Sequence, residues 1–137
     1  MDSRAQRGLV RVEPCPKRIR AYFGQELVLD TVHALLVWES PSYPTYYVPV
    51  GDVLAELSAT GAVERSPSRG DAEVYDVKVA RATAVGAALW HRSSPIEELR
   101  EAVKVRWAAM DEWLEEDEPV YTHPRDPYRR VDILASS

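Results

Sequence analysis

Apolar and polar residues alternate with a period of two in two separate runs of this chain, one from Lys17 and one around Tyr75, each set off by turn residues. That pattern restricts those runs to short, half-buried β-strands. From Lys17 onward, Ile19, Ala21 and Phe23 fall on one side and Arg18, Arg20 and Tyr22 on the other. Gly24-Gln25 then supplies a two-residue turn with glycine first, which predicts a type II′ hairpin into Glu26-Leu27-Val28-Leu29-Asp30. Farther along, Tyr75, Val77 and Val79 stand opposite Asp76 and Lys78, and residues 84–91 read as the return strand of a second hairpin. Ala34-Leu35-Leu36-Val37-Trp38 is apolar throughout, too short for a stable helix, and bounded by Glu39-Ser40-Pro41. It reads as a strand covered on both faces.

Three stretches depart from the alternation. Tyr43, Tyr46 and Tyr47 lie among Pro41, Pro44 and Pro49, which predicts an extended aromatic segment without regular central pairing. Val50, Val53, Leu54 and Leu57 recur at helical spacing with Gly61 placed as a cap, so a short helix is expected over residues 51–59. Finally, Ser94-Pro95-Ile96-Glu97 has the form of a capping box. Ile96, Leu99, Val103, Trp107, Met110 and Leu114 follow it at steps averaging 3.6 residues, which predicts a long helix over about residues 95–115. The expected fold class is therefore mainly β with one long C-terminal helix (α+β). Residues 1–16 read as a flexible N-terminal arm, 17–118 as a single domain, and 119–137 as a proline- and arginine-rich tail.

The 137 residues suffice for one hydrophobic core. The net charge of −5 is local: residues 1–110 hold 14 acids and 14 bases, whereas residues 111–118 hold six acids and no base. A net acidic chain argues against nucleic acid or an anionic membrane surface as partner. The apolar runs are too short to span a bilayer and the N-terminus leads into no signal-like segment, so a cytoplasmic location is expected. A single cysteine, Cys15, can build neither a disulfide framework nor a thiolate zinc cage.

Catalytic signatures are sparse. Cys15, Ser66 and Ser93 are the available nucleophiles, with His33, His91 or His123 as bases, and none sits in a nucleophile elbow. The histidines lie 58 and 32 residues apart, without the short ligand pair usual for zinc. The six glycines form no phosphate-binding loop. No metal or cofactor is expected. What does stand out is an acid and a cation among aromatics: Glu39, Tyr46, Tyr47, Arg69, Tyr75 and Trp90 form a candidate ligand-binding set, with stacking surface from the rings and polar anchoring from Glu39 and Arg69.

Several blocks carry a family resemblance: Pro16-Lys17-Arg18-Ile19-Arg20, Leu27-Val28-Leu29-Asp30-Thr31, Val37-Trp38-Glu39, Tyr43-Pro44-Thr45-Tyr46-Tyr47-Val48-Pro49, and Ser66-Pro67-Ser68-Arg69-Gly70-Asp71-Ala72 with Trp90. In their order and spacing the chain resembles the bacterial family called domain of unknown function 427, over residues 10–134. The resemblance implies a β-tent, two antiparallel sheets leaning on one another, similar to the ligand-binding domain of cereblon and to methionine-R-sulfoxide reductase. The zinc cysteines and catalytic cysteine of those proteins have no counterpart here. Family members usually carry Cys-Pro-x-Lys-Gly where this chain has Ser66-Pro67-Ser68-Arg69-Gly70, so Arg69 keeps the cation and Ser66 removes the thiol. The tail resembles the stretch that joins two copies of the domain in tandem members, with the chain ending about where a second copy would begin.

Three functions are compatible with these residues. The first is a binding module for a small molecule or modified side chain. The second is a nucleotidyltransferase-like enzyme, a label sometimes given to the family, with Asp30, Glu39 or Asp52 as metal-binding carboxylates. The third is an interaction module that uses the acidic strip 111–118 and the tail, for example as a homodimer replacing the second copy.

Overall fold

The computed structural model describes residues 10–121 and 124. Eleven strands build two sheets, antiparallel at every pairing. The strands are β1 (Arg11–Pro14), β2 (Ile19–Phe23), β3 (Glu26–Thr31), β4 (Leu35–Trp38), β5 (Thr45–Pro49), β6 (Glu56–Glu64), β7 (Ala72–Lys78), β8 (Thr83–Trp90), β9 (Ala102–Val105), β10 (Glu112–Glu115) and β11 (Glu118–Val120). The larger sheet runs β1-β4-β5-β9-β8-β7-β6 and the smaller β11-β10-β2-β3.

The main core draws on both sheets: Ile19, Ala21, Val28 and Leu29 from the small one meet Leu36, Tyr46, Val48, Val77, Ala88 and Val105 from the large one. Behind the large sheet a second cluster of Val10, Val37, Tyr47, Ile96, Leu99 and Ala102 is closed by the 3₁₀ turn Glu97–Leu99. Strands β4, β5 and β9 are therefore covered on both faces, which is why the 34–38 run lacks alternation. A bridge between Leu29 and Val53, with the Leu54 amide donating to the Val28 carbonyl at 2.7 Å, ties the chain leaving β5 to the small sheet.

The hairpins β2–β3 and β7–β8 form where alternation placed them. The β2–β3 turn is of a different type, because Gly24 (φ 58°) and Gln25 (φ 66°) are both left-handed, as in a type I′ turn rather than the expected II′. The segment among the prolines is central after all: β5 pairs with β4 on one side and β9 on the other, with Pro44 before the strand and Pro49 at its last position. Within the stretch read as an N-terminal arm, Arg11–Pro14 pairs with Leu35–Trp38. Residues 1–9 and most of the tail lie outside the described residues.

Both expected helices are corrected. Residues 51–59 contain the end of a 3₁₀ turn (Val50–Asp52) and the start of β6. Residues 95–115 hold no α-helix: they run through the 3₁₀ turn Glu97–Leu99, β9, the 3₁₀ turn Trp107–Ala109 and β10. Instead of capping a helix, Ser94 Oγ accepts from the Ile96 amide at 3.0 Å and closes a tight turn. On a helix Val105 would lie opposite the Ile96–Leu114 stripe and face water. As part of β9 it is 2% exposed, and the strand fills the slot between β5 and β8, each of which would otherwise present an open edge. Tertiary pairing outweighs local periodicity there.

The acidic strip is a hairpin, β10–β11, turning at Glu116 (φ 56°). At least four of its acids are used internally. Asp111 accepts from the Gly24 amide at 2.8 Å, Glu116 from the Arg18 amide at 3.2 Å, and Asp117 from Arg20 at 3.1 Å. Glu115 is buried, bonded to the Tyr46 hydroxyl with Lys17 Nζ 3.7 Å away.

Candidate functional site

Antiparallel register brings the C-terminal ends of β4 and β9 and the N-terminal end of β5 to one end of the large sheet, with Tyr47 directly opposite Lys104 and Val37 opposite Thr45. Glu39 follows β4 there and is the hub of a polar cluster. Its Oε2 accepts from Arg69 (2.6 Å) and from the Tyr47 hydroxyl (2.6 Å), while Oε1 accepts from Lys104 Nζ (2.7 Å). Arg69 also donates to Tyr47 Oη at 3.3 Å. Burial alone would raise the Glu39 pKa, but Lys104, Tyr47 and Arg69 together outweigh it and hold the carboxyl below its usual range. Burial and then the Glu39 charge push the Tyr47 phenol far above its usual value, so it stays a donor.

Arg69 arrives from the β6–β7 loop, which is held by its own backbone. The Ser66 hydroxyl accepts from the Arg69 amide (3.1 Å), and the Ser66 carbonyl accepts from the Gly70 amide (2.8 Å). His91, just past β8, lies with Nδ1 2.9 Å from the Gly70 carbonyl, which requires the proton on Nδ1. Burial, with Arg69 and Lys104 nearby, keeps this imidazole below its ordinary pKa. Gly70 itself is left-handed (φ 86°), and a Cβ there would meet Pro95 Cδ at 3.2 Å and Ser94 Cα at 3.3 Å. Gly70→Ala is therefore expected to lower stability by more than ~1 kcal/mol in urea unfolding, since strain and crowding act together.

Beside the cluster opens a cavity of about 380 Å³. The indoles of Trp107 and Trp113 stack with centroids 4.6 Å apart and planes within 4°, and Tyr46 flanks them at 6.0 and 5.6 Å. Tyr43 and Pro44 complete the apolar lining, and Glu39, Lys104 and Arg106 supply its charged groups. A smaller cavity of about 90 Å³ lies against Ser66, Arg69, His91 and Lys104, with Glu64 and Arg65 at its edge.

Of the six candidate residues, Glu39, Tyr47 and Arg69 come together. Tyr46 follows the strand's alternation onto the other face, where it bonds Glu115 and borders the large cavity. Tyr75 and Trp90 form a separate pair 5.9 Å apart, with Arg92 over the Trp90 ring at 4.3 Å, and border neither of these cavities. Lys104, Trp107 and Trp113 escaped sequence reasoning because they fell inside the expected helix. The signal that could have found them is Ala102-Val103-Lys104-Val105, β-branched at alternate positions.

The carboxylates considered for metal chemistry are each engaged elsewhere. Asp30 makes a two-point pair with Arg18 (2.8 and 2.6 Å), Asp52 accepts from the Thr31 hydroxyl (2.7 Å), and Glu39 holds its cations. Among the described residues no three His, Cys, Asp or Glu side chains gather as a metal site. Cys15 is buried, and burial raises its pKa, the opposite of an activated thiol. None of the described helical turns is long and apolar enough to cross a membrane.

A family model described as domain of unknown function (DUF427) matches residues 11–116, spanning β1 to β10. The chain belongs to that family. No curated protein matches it.

Proposed function

We propose that the protein is a binding module for a small ligand with a flat apolar body, held in the cavity at the end of the large sheet. The observation that supports this most is the wall formed by Trp107, Trp113 and Tyr46 beside Lys104 and Arg106. A volume of about 380 Å³ lies in the range of small-molecule pockets, and such pockets combine an apolar lining with a few placed polar groups. Aromatic walls offer a ring both apolar contact and stacking. Glu39 fixes the Lys104 ammonium through its bond, so this polar group is set before a ligand arrives.

The test is a thermal-shift panel of small aromatic heterocycles such as indole, nicotinamide and adenine, read in parallel by tryptophan fluorescence. A ligand at a hundredfold its Kd adds about 2.7 kcal/mol of stability. That gain is expected to vanish in Trp107→Ala and to shrink in Tyr43→Ala, whose side chain is 39% exposed. Stabilisation that survives both substitutions places the ligand elsewhere.

A further inference from the structure

The Arg69 guanidinium is only half used. One terminal nitrogen, Nη1, makes all its bonds to Glu39 and Tyr47. Among the described residues no acceptor meets Nη2, and Nε is buried with no partner. Nε and Nη2 form the side-on fork with which arginine binds an oxyanion at two points. A buried donor left unmet is destabilising, and in a native structure such a group marks a missing water or ligand. Lys104 likewise spends one bond on Glu39 and has further donors. Both cations line the cavity of about 90 Å³, together with Ser66, whose hydroxyl accepts from the Arg69 amide and lies 3.5 Å from the Ser68 hydroxyl, either of which can donate to the other.

The charges agree. Around this cavity Arg65 pairs with Asp71, and Arg106 with Glu64, while Glu39 alone faces both Arg69 and Lys104. One positive charge is left over.

We propose that this small cavity is an oxyanion subsite, in which the free edge of Arg69, the Lys104 ammonium and the Ser66 hydroxyl hold a phosphate, sulfate or carboxylate group. At less than a quarter the volume of its neighbour it takes a charged group and no ring. Lys104 lines both cavities, so an anionic aromatic whose charged end sits here would have its ring in the larger one. Glu39 is the positioning residue, holding both cations with their remaining donors free. This deepens the ligand-binding reading above and shares its premise of one ligand.

Inorganic phosphate and acetate, titrated separately at constant ionic strength, test it in ¹H–¹⁵N spectra of the histidine rings. The His91 ring, which lines the cavity, is expected to shift with saturation, while exposed His33 does not. Arg69→Gln is expected to weaken phosphate binding by at least about tenfold. Arg69→Lys, which keeps the charge but loses the fork, should weaken it by less. If Arg69→Gln fails to fold, the wild-type His91 response to phosphate and Lys104→Gln carry the same test. No saturable shift at His91 with either anion overturns the proposal, as does full affinity in a folded Arg69→Gln. A neutral heterocycle that still binds in that event leaves the aromatic cavity standing and removes only the subsite. Loss of both responses removes both readings.

Discussion

Trp113→Ala is expected to lower stability by about 3–5 kcal/mol, the usual effect of emptying a buried aromatic site. Trp113 is 2% exposed, stacks on Trp107, touches Tyr46, and donates from Nε1 to the Trp107 carbonyl at 3.0 Å. Its removal opens the wall between β10 and the large sheet and leaves that carbonyl without its donor. Urea unfolding should show a lower midpoint with an unchanged slope, and Trp113→Phe should recover most of the loss. The experiment also separates the observed chain path from the helical one. On a helix Trp113 lies about 90° from the Ile96–Leu114 stripe, so its loss would be mild and Leu114→Ala severe. Here Trp113 is buried and Leu114 only half-buried, so the order reverses.

Glu39→Ala is the second large effect, about 3 kcal/mol. Removing one partner of a buried ion pair strands the other charge, and here one carboxylate serves two cations. The low end of the range applies because Arg69 and Lys104 keep roughly a fifth of their side-chain surface. The pH dependence follows from the same bonds. Glu39 titrates below its ordinary 4.5, so between those values the unfolded chain takes up a proton that the folded one does not. Its contribution is complete above the ordinary value and fades as pH falls through the folded one. His91 titrates below its ordinary 6.5, mainly through burial, and the same reasoning makes stability fall as pH drops below that value. Unfolding midpoints measured against pH should therefore decline in two stages on acidification. Glu39→Gln should flatten the lower stage, and His91→Gln the upper.

Much of the sheet structure was legible because it is local. In β2–β3 and β7–β8 the apolar alternation, the turn glycine and the partner strand all lie within about twenty residues, so pattern and pairing coincide. The type I′ turn was less so, since Gln25 has no residue preference that announces a left-handed backbone. The 95–115 stretch failed for the opposite reason. Its apolar residues satisfy a helical period by accident of joining two turns to two strands, and the strand β9 exists only because β5, far off in sequence, and β8 leave a slot between them.

For the site, residue chemistry pointed to Glu39 and Arg69, an acid and a permanent cation beside aromatics, thirty residues apart in the chain and bonded in the fold. Tyr46 and Tyr47 could have been assigned to opposite faces once their segment was a strand, because adjacent strand residues always diverge. Tyr75 and Trp90, expected in the same set, instead form their own cluster with Glu73 and Arg92.

By itself, then, the chain's alternation determined the hairpins β2–β3 and β7–β8 and a mainly β composition, with helices wrongly added, and its blocks determined the family. Short-range pattern suffices for that, since the side-chain period is a property of each strand alone. Which strands adjoin, and therefore whether Lys104 and Trp107 meet Glu39 or face water on a helix, was decided only by tertiary structure. The physical reason is that an unpaired strand edge between β5 and β8 is worse than a forgone helix, and no local window contains both edges.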